Sequence, residues 1–201
     1  FTTAPGASLN MANYLTSKSY EIAGGVPENL KLTFDSNDEI SWEASGPARS
    51  RTRPAQTDPA THTVAGTTPP SGLTGSLRIG ATAEEFIKAS FEIKNGLELD
   101  NIAFGTSQAQ AMYRKSKRAV TASIDARQSD DVTIEDLGDS NANTAALLQC
   151  GLTEGSIVAV YMPAMEIDTP EDADSDEERM HSFKALLKGV TGNDEMYLAF
   201  A

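Results

Sequence analysis

LKLTFDSNDEISWEAS, residues 30–45, is the stretch that decides the fold, because apolar and polar side chains alternate along it on both sides of a turn. The turn is predicted at residues 36–38, which are all polar. A period of two on each side predicts a β-hairpin with one apolar and one polar face. The apolar face contains the only Trp of the chain and is expected to seed a core. Its members are Leu30, Leu32, Phe34, Ile40, Trp42 and Ala44.

The balance of charge limits the kind of partner that the protein can bind. The 201 residues include 29 acidic and 16 basic side chains, which gives a formal net charge of −13. Binding to a phosphate backbone needs clustered Lys and Arg, so this composition argues against a nucleic-acid-binding surface. It fits an acidic protein that is simply well solvated, or a surface that repels nucleic acid.

The single cysteine and the apolar runs exclude further classes. Cys150 is the only cysteine, so an intrachain disulfide framework and a multi-Cys metal site are excluded. It follows an apolar run and is predicted to be a small buried side chain. No apolar run approaches the roughly 20 residues that a membrane-spanning helix needs.

Alternation predicts strands further along the chain. The clearest is AVTASIDAR at residues 119–127. Residues 86–99 alternate as well, and Asn95-Gly96 within them signals a turn or a bulge. A mostly apolar strand is predicted at residues 156–165, where Pro163 indicates a sheet edge or a bulge.

One helix and a second hairpin complete the predicted elements. NANTAALLQC at residues 141–150 has Asn caps, good helix formers and Gly151 in the position of a C-terminal cap, so it is predicted to be a short helix. Such a helix must pack on the sheet to be stable. Residues 132–137 are predicted to extend the preceding strand or pair with it. Residues 180–201 predict a second hairpin with its turn at residues 191–194.

A long stretch from residue 46 to residue 76 shows no period. It contains five prolines among Thr, Ala, Ser, Gly and Arg. Such a stretch is predicted to be either a solvated loop or an ordered arm that docks on an acidic neighbour. Arg49, Arg51 and Arg53 alternate along one edge of it.

A second segment, residues 168–178, carries seven carboxylates and is predicted to be a solvated acidic loop. Asp172, Asp174 and Asp176 alternate as in a calcium loop. The glycine and the closing bidentate Glu of that motif are missing, so calcium binding is not predicted.

The sequence shows no set of residues that indicates catalysis. His62 and His181 have no metal ligand at a suitable spacing, and no nucleophile elbow or phosphate-binding loop is present. We therefore predict no enzymatic activity, no catalytic residue, no cofactor and no metal site.

The order of the elements resembles one protein family. A Gly25-Val26-Pro27 turn leads into the hairpin, and a long loop follows it. Next come FEIKNGLEL at residues 91–99, RAVTAS at residues 118–123, the predicted short Ala/Leu helix and an apolar strand. HSFKALLKG and DEMYLAF close the chain. Over residues 20–201 this order resembles the tail tube (major tail) proteins of long-tailed bacteriophages.

The resemblance implies a mainly β fold, an antiparallel β-sandwich or barrel-like domain with one short flanking α-helix and long loops. It implies a single domain over residues 1–201, with an N-terminal arm at residues 1–19 and an inter-subunit loop at residues 46–76. Such proteins form rings, commonly hexameric, that stack into a tube through which DNA passes without specific binding.

The same resemblance implies the protein's partners and location. These are other copies of the chain and tail proteins such as a terminator, a tape measure or a baseplate component. The expected location is the virion tail, with assembly in the host cytoplasm and no membrane association.

Two sets of residues are candidates for roles in such a tube. A wall that must not bind DNA benefits from negative charge. The candidates for the lumen are Asp35, Glu39, Glu43, Glu92 and Asp125. For contacts between subunits, we predict that basic residues of the long loop pair with the acidic loop of another copy. These candidates are Arg49, Arg51, Arg53, Asp172, Asp174 and Asp176.

Two other classes remain as alternatives. One is a different ring of the tail, such as a distal or baseplate ring, or the tube of a secretion system. The other is a β-sandwich module for carbohydrate binding or adhesion, which needs exposed aromatic side chains. Trp42, Tyr161 and Tyr197 are the candidates for that role, but their strand patterns predict burial. An enzyme ranks third.

Overall fold

A computed structural model describes residues 9–15, 18–48, 50–52, 74–99, 112–127, 133–175, 178–192 and 194–201. The described residues form sixteen strands and one helix. The strands are β1 (Leu9–Leu15), β2 (Lys18–Gly25), β3 (Asn29–Asp35), β4 (Ser41–Ser45), β5 (Ser50–Thr52), β6 (Ser76–Ile79), β7 (Thr82–Glu84), β8 (Phe86–Lys94), β9 (Leu97–Leu99), β10 (Met112–Arg114), β11 (Ala119–Arg127), β12 (Asn143–Cys150), β13 (Val158–Ile167), β14 (Glu171–Ser175), β15 (Glu178–Leu187) and β16 (Tyr197–Phe200). The helix, α1, is Thr133–Ser140.

The chain divides into two compact units. The smaller unit is built from Phe1–Leu30, Ala44–Gly66 and Lys94–Arg118, and the larger from Lys31–Glu43, Thr67–Ile93 and Ala119–Ala201. In the smaller unit β1, β2 and β5 form a three-stranded sheet, and β9 pairs with β10. The assignment of residues 1–201 to one functional domain stays a prediction.

The larger unit is dominated by one sheet of eleven strands. Its main path runs β4-β3-β8-β11-β15-β13-β12-β6-β7, with β14 on β15 and β16 on β13. The predicted mainly β, antiparallel fold with one short helix is confirmed. The path has two ends, so the described strands form an open sheet and not a closed barrel.

Strict alternation along the strands builds the core of the larger unit. The strand predicted at residues 119–127 is confirmed as β11, and every second residue of it is buried, from Val120 to Ala126. The hairpin predicted at residues 30–45 is confirmed too, since β3 and β4 are neighbours in the sheet. Phe34 of that hairpin meets Phe91 of β8 edge to face, with ring centroids 5.7 Å apart. Aromatic pairs of this geometry add to the stabilisation from burial.

The predicted position of the helix is wrong. Residues 143–150 form β12, which pairs with β13 on one side and β6 on the other. Ala146, Leu148 and Cys150 are buried while Leu147 is exposed, which is the period of a strand. Two long ladders of hydrogen bonds outweigh the helix propensity of Ala, Leu and Gln, because propensity is a weak preference that tertiary context overrides.

The helix lies one segment earlier, where a strand was predicted. α1 buries Ile134 and packs Leu137 against the core, a spacing of three that suits a helix. Asn141, with φ +49°, follows its last residue in the left-handed conformation that commonly ends helices. Only two apolar residues, Ile134 and Leu137, show this spacing in the sequence, which is too few to distinguish a helix from a strand.

Three further predictions on elements can be compared with the structure. The predicted terminal hairpin is wrong, because β16 pairs with β13 and not with β15. The predicted acidic loop is wrong over Glu171–Ser175, which forms β14 on β15. The bulge signalled by Pro163 is confirmed: Ala146 pairs with Met162 and Thr144 with Met165, so β13 has one extra residue there.

Candidate assembly surfaces

The outer face of the larger sheet carries three of the residues predicted to line a lumen. Because buried residues alternate along β3, β8 and β11, the side chains between them lie on the opposite face. Asp35, Glu92 and Asp125 lie on this face, on three successive strands of the sheet order, and all three are half-buried. The structure therefore brings these three carboxylates to one face.

Asp35 and Asp125 make contacts within the subunit. An oxygen of Asp35 lies 3.7 Å from Nζ of Lys88, and Asp35 also accepts a hydrogen bond of 3.1 Å from the backbone N–H of Asn37. Asp125 accepts a hydrogen bond from the hydroxyl of Ser182. Basic side chains share the face, so this part of the sheet carries both signs of charge. They are Lys31, Lys88, Arg127 and Lys184.

The other two lumen candidates are more exposed. Glu39 follows the turn between β3 and β4, where its backbone N–H donates to a carboxylate oxygen of Asp38 over 2.8 Å. Glu43 lies on β4, whose five residues are all exposed. β4 is one end of the sheet order. Among the described strands β4 therefore ends the main path, with Glu43 on this strand and Glu39 just before it.

The prediction that Trp42 is buried and seeds the core is wrong. Its side chain is 69% exposed, although Ile40 two residues earlier packs against the core. Trp42 belongs to the edge strand β4, which is exposed along its whole length. Alternation assigned the side chain to the correct type of element, but a pattern in one strand does not show how far the core extends across the sheet.

The predicted contacts between subunits fall mostly outside the described residues. Arg49, Arg53 and Asp176 lie outside them, as do residues 53–73 of the predicted inter-subunit loop. The backbone of Arg51 lies in β5 opposite Ile22. The backbones of Asp172 and Asp174 lie in β14 opposite His181 and Arg179.

An exposed apolar row crosses the other half of the larger sheet, and the sequence did not indicate it. Tyr161 of β13 lies opposite Leu147 of β12 and opposite Tyr197 of β16. The two tyrosine rings are 6.1 Å apart and tilted by 33°. Tyr161 is 42% and Tyr197 53% exposed, so the prediction that both are buried is wrong. The sequence could have indicated this row only if β12 had been predicted as a strand, because the strand register is what sets Leu147 opposite Tyr161.

The smaller unit is held together around the Gly25-Val26-Pro27 turn by one carboxylate and one amide. Glu28 accepts a hydrogen bond from the backbone N–H of Leu97 through its carboxylate, and one of 2.8 Å from that of Asn95 through its carbonyl. The side-chain amide of Asn95, which is buried, donates to the carbonyl of Pro27 over 2.8 Å. These bonds fix the chain just before β3 begins.

A charged pair connects β9 with the residues after β10 in the smaller unit. Nζ of Lys115 lies 2.9 Å from a carboxylate oxygen of Glu98, and the hydroxyl of Tyr113 donates to the same oxygen over 3.2 Å. The ammonium of Lys115, followed by the Tyr113 hydroxyl, holds the pKa of Glu98 below its usual value. Glu98 in turn raises the pKa of Lys115. Both groups are solvent-facing, so the pair adds little stability.

The described residues offer little for catalysis. Among them, no three His, Cys, Asp or Glu side chains are grouped as metal ligands. Cys150 is fully buried, as predicted, and burial raises the pKa of its thiol to about 11. A thiol with that pKa is a poor nucleophile near neutral pH. In the part of the chain that the structure describes, no helix has the length and apolar character to span a bilayer.

Comparison with known proteins identifies the class to which this β-rich, open-edged fold belongs. The sequence profile of the phage tail tube proteins matches residues 1–184. The chain therefore belongs to the phage tail tube protein family, as its order of elements had indicated. No match is found among curated proteins. Membership makes the chain a structural component of a phage tail and implies a role that is not enzymatic.

Proposed function

We propose that this protein assembles with copies of itself into rings and that the rings stack into a hollow tail tube. The rings are hexameric, as is common in the family that the sequence resembles. The membership of residues 1–184 in the tail tube family carries the proposal. The open sheet supports it, because among the described strands β4 and β7 each end the main path. Unpaired strand edges invite pairing with another chain, and closure across subunits removes them.

The tube serves as the conduit for DNA during ejection, and negative charge on its wall keeps the DNA from adhering. The net charge of −13 supports this role. Glu39 and Glu43 are the strongest lumen candidates, because both are exposed, Glu43 on the end strand β4 and Glu39 just before it. Asp35, Glu92 and Asp125 contribute less to the negative electrostatic potential of the wall, because Lys and Arg side chains share their face of the sheet.

Contacts between subunits involve the long loop. Arg49, Arg51 and Arg53 pair with Asp172, Asp174 and Asp176 of a neighbouring copy. Arg→Glu changes at all three arginines are expected to block assembly, and Asp→Lys changes at the three aspartates to restore it in the combined variant. Unchanged assembly of the arginine variant, together with insensitivity to high salt, contradicts this pairing.

The assembled tube works with other tail proteins, such as a terminator, a tape measure and a baseplate component. Assembly takes place in the host cytoplasm, and the finished tube resides in the virion tail. The family supports the tail location in general. A carbohydrate-binding or adhesion module, the alternative from another class, gains no support from it.

Electron microscopy of the purified protein tests the proposal. Negatively stained samples at increasing protein concentration are expected to show long hollow tubes of uniform width. Single closed rings that never stack identify a different ring of the tail instead. Monodisperse monomers under all conditions overturn the proposal.

A further inference from the structure

Five exposed residues lie side by side across five neighbouring strands of the larger unit. We name them the transverse row: Ala83, Arg78, Leu147, Tyr161 and Tyr197. Their strands β7, β6, β12, β13 and β16 pair successively, and the register sets each residue directly opposite the next. All five are exposed. Four spacings between strands of about 4.8 Å make the row roughly 19 Å long.

The transverse row differs from the rest of the chain in charge. The next row on the same face contains Ser76, Gln149, Ala159 and Ala199, which also follow one another in register. Neither row has a carboxylate, although the chain has 29 acidic residues. Arg78 is the only charged side chain in the two rows, and it forms no ion pair with the residues that the structure describes.

The residue types of the transverse row suit a protein interface. Tyr and Arg are among the residues most enriched in side chains that contribute strongly to binding, and tyrosines offer large area at low cost in conformational entropy. One arginine cannot hold DNA to a chain with a net charge of −13, so a nucleic acid is excluded as the occupant. The occupant must supply an apolar surface and a carboxylate for Arg78.

We propose that the transverse row binds a second copy of this chain, with Arg78 paired to a carboxylate of that copy. Charge complementarity selects this occupant, because a cationic and apolar patch lies on a chain that is otherwise strongly acidic. A second copy is also the partner present at the highest local concentration in a homopolymer. The inference rests on the proposed function in that it names one contact surface of the assembly.

Surface variants with matched controls test the proposal. Arg78→Glu and Leu147→Ser each change the transverse row, while Lys184→Glu and Leu186→Ser change exposed side chains of the same types on β15. For the first two variants, the dissociation constant of self-association measured by sedimentation is expected to rise at least about tenfold, because each variant loses one charge pair or one apolar contact. The controls are expected to stay within about twofold of wild type. Equal association of all four variants and wild type overturns the proposal.

Photo-crosslinking identifies the occupant and separates this proposal from the proposed function. A benzophenone amino acid replaces Leu147 in one sample and Leu186 in another. Copy-to-copy adducts from position 147 alone support the proposal, even where microscopy shows no tubes and the proposed function fails. Tubes without such adducts overturn the proposal while the proposed function stands. Adducts only to a different tail protein overturn the second copy as occupant.

Discussion

Two glycines in the turn between β12 and β13 show how local geometry limits the choice of residue. Gly151 has φ +92° and Gly155 has φ +83°, both in the left-handed region. A Cβ on Gly151 would lie 1.9 Å from the carbonyl oxygen of Ser156, whereas a Cβ on Gly155 would meet nothing within 4 Å. The two positions share the backbone strain and differ in the steric clash.

Gly151→Ala is therefore expected to lower the free energy of unfolding by about 3 kcal/mol or more, because strain and clash add. Gly155→Ala is the control and is expected to cost about 1–2 kcal/mol, from the left-handed conformation alone. Urea unfolding followed by circular dichroism measures both. Equal losses for the two variants contradict the clash.

Cys150 predicts a dependence of stability on alkaline pH. Its pKa is 9.0 when solvated and about 11 in the folded protein, so the folded state binds the thiol proton more tightly. A group whose pKa rises on folding stabilises fully below its unfolded pKa, and the contribution disappears as pH rises through the folded pKa. The expected loss between pH 9 and pH 11 is about 2 kcal/mol.

Comparison with Cys150→Ala isolates this thiol from the tyrosines and lysines that titrate in the same range. Between pH 8 and pH 11 the wild type is expected to lose more stability than the variant, by about 2 kcal/mol, in urea unfolding under argon. Parallel curves for the two proteins over this range count against the burial of the thiol as the cause.

At the scale of the element, β12 shows why composition alone misassigned a segment. NTAALLQC contains residues that favour a helix, but the structure pairs it on both sides, with β6 and with β13. The pattern of residues within one strand does not show which distant strands will pair with it. AVTASIDAR was assigned correctly because its alternation and its β-branched residues indicate the same element.

The two leucines of β12 give a direct test of this assignment. Leu148 is fully buried and Leu147 is 36% exposed, on opposite faces. Leu148→Ala is expected to cost about 2–5 kcal/mol of unfolding free energy, and Leu147→Ala less than about 1 kcal/mol. Chemical denaturation of both variants measures the difference. Comparable losses at the two positions contradict the assigned faces of the strand.

At the scale of the whole molecule, the excess of negative charge becomes a property of the proposed tube. Glu43 lies on β4, which ends the main path of the described strands, and Glu39 lies just before it; both are exposed, so the proposed tube would repeat them in every copy. Glu39→Lys with Glu43→Lys is expected to make preformed tubes retain DNA fragments at low salt and release them at high salt, because Lys pairs with phosphate. Co-sedimentation of labelled DNA with the tubes measures retention.

The matched control moves the same charge to other exposed acids. Asp139 lies in the last turn of α1 and Glu154 in the turn before β13, and both are exposed. Asp139→Lys with Glu154→Lys is expected to leave DNA retention low. If the control binds DNA as strongly as the hairpin variant, charge at Glu39 and Glu43 has no special place in the wall.

How much the sequence predicted depended on the range of the interactions. Local alternation located β3, β4, β11 and the bulge at Pro163, because each is determined within a few residues. It failed where distant partners decide: Trp42 depends on how far the core extends, and β16 pairs with β13 and not with its neighbour in sequence. The lumen and inter-subunit residues stay predictions, since a single sequence contains no information on the partner copy.

The pairing of β6 with β12 has a consequence for how fast the protein folds. Ser76 lies opposite Gln149, 73 residues later in the chain. The two strands can therefore pair only after the whole chain between them has brought them together. Domains dominated by such distant pairings fold in milliseconds to seconds rather than microseconds. A newly made subunit therefore passes through a period in which β6 has its neighbour β7 but not its neighbour β12, and during that interval the open edge of β6 can pair with another chain.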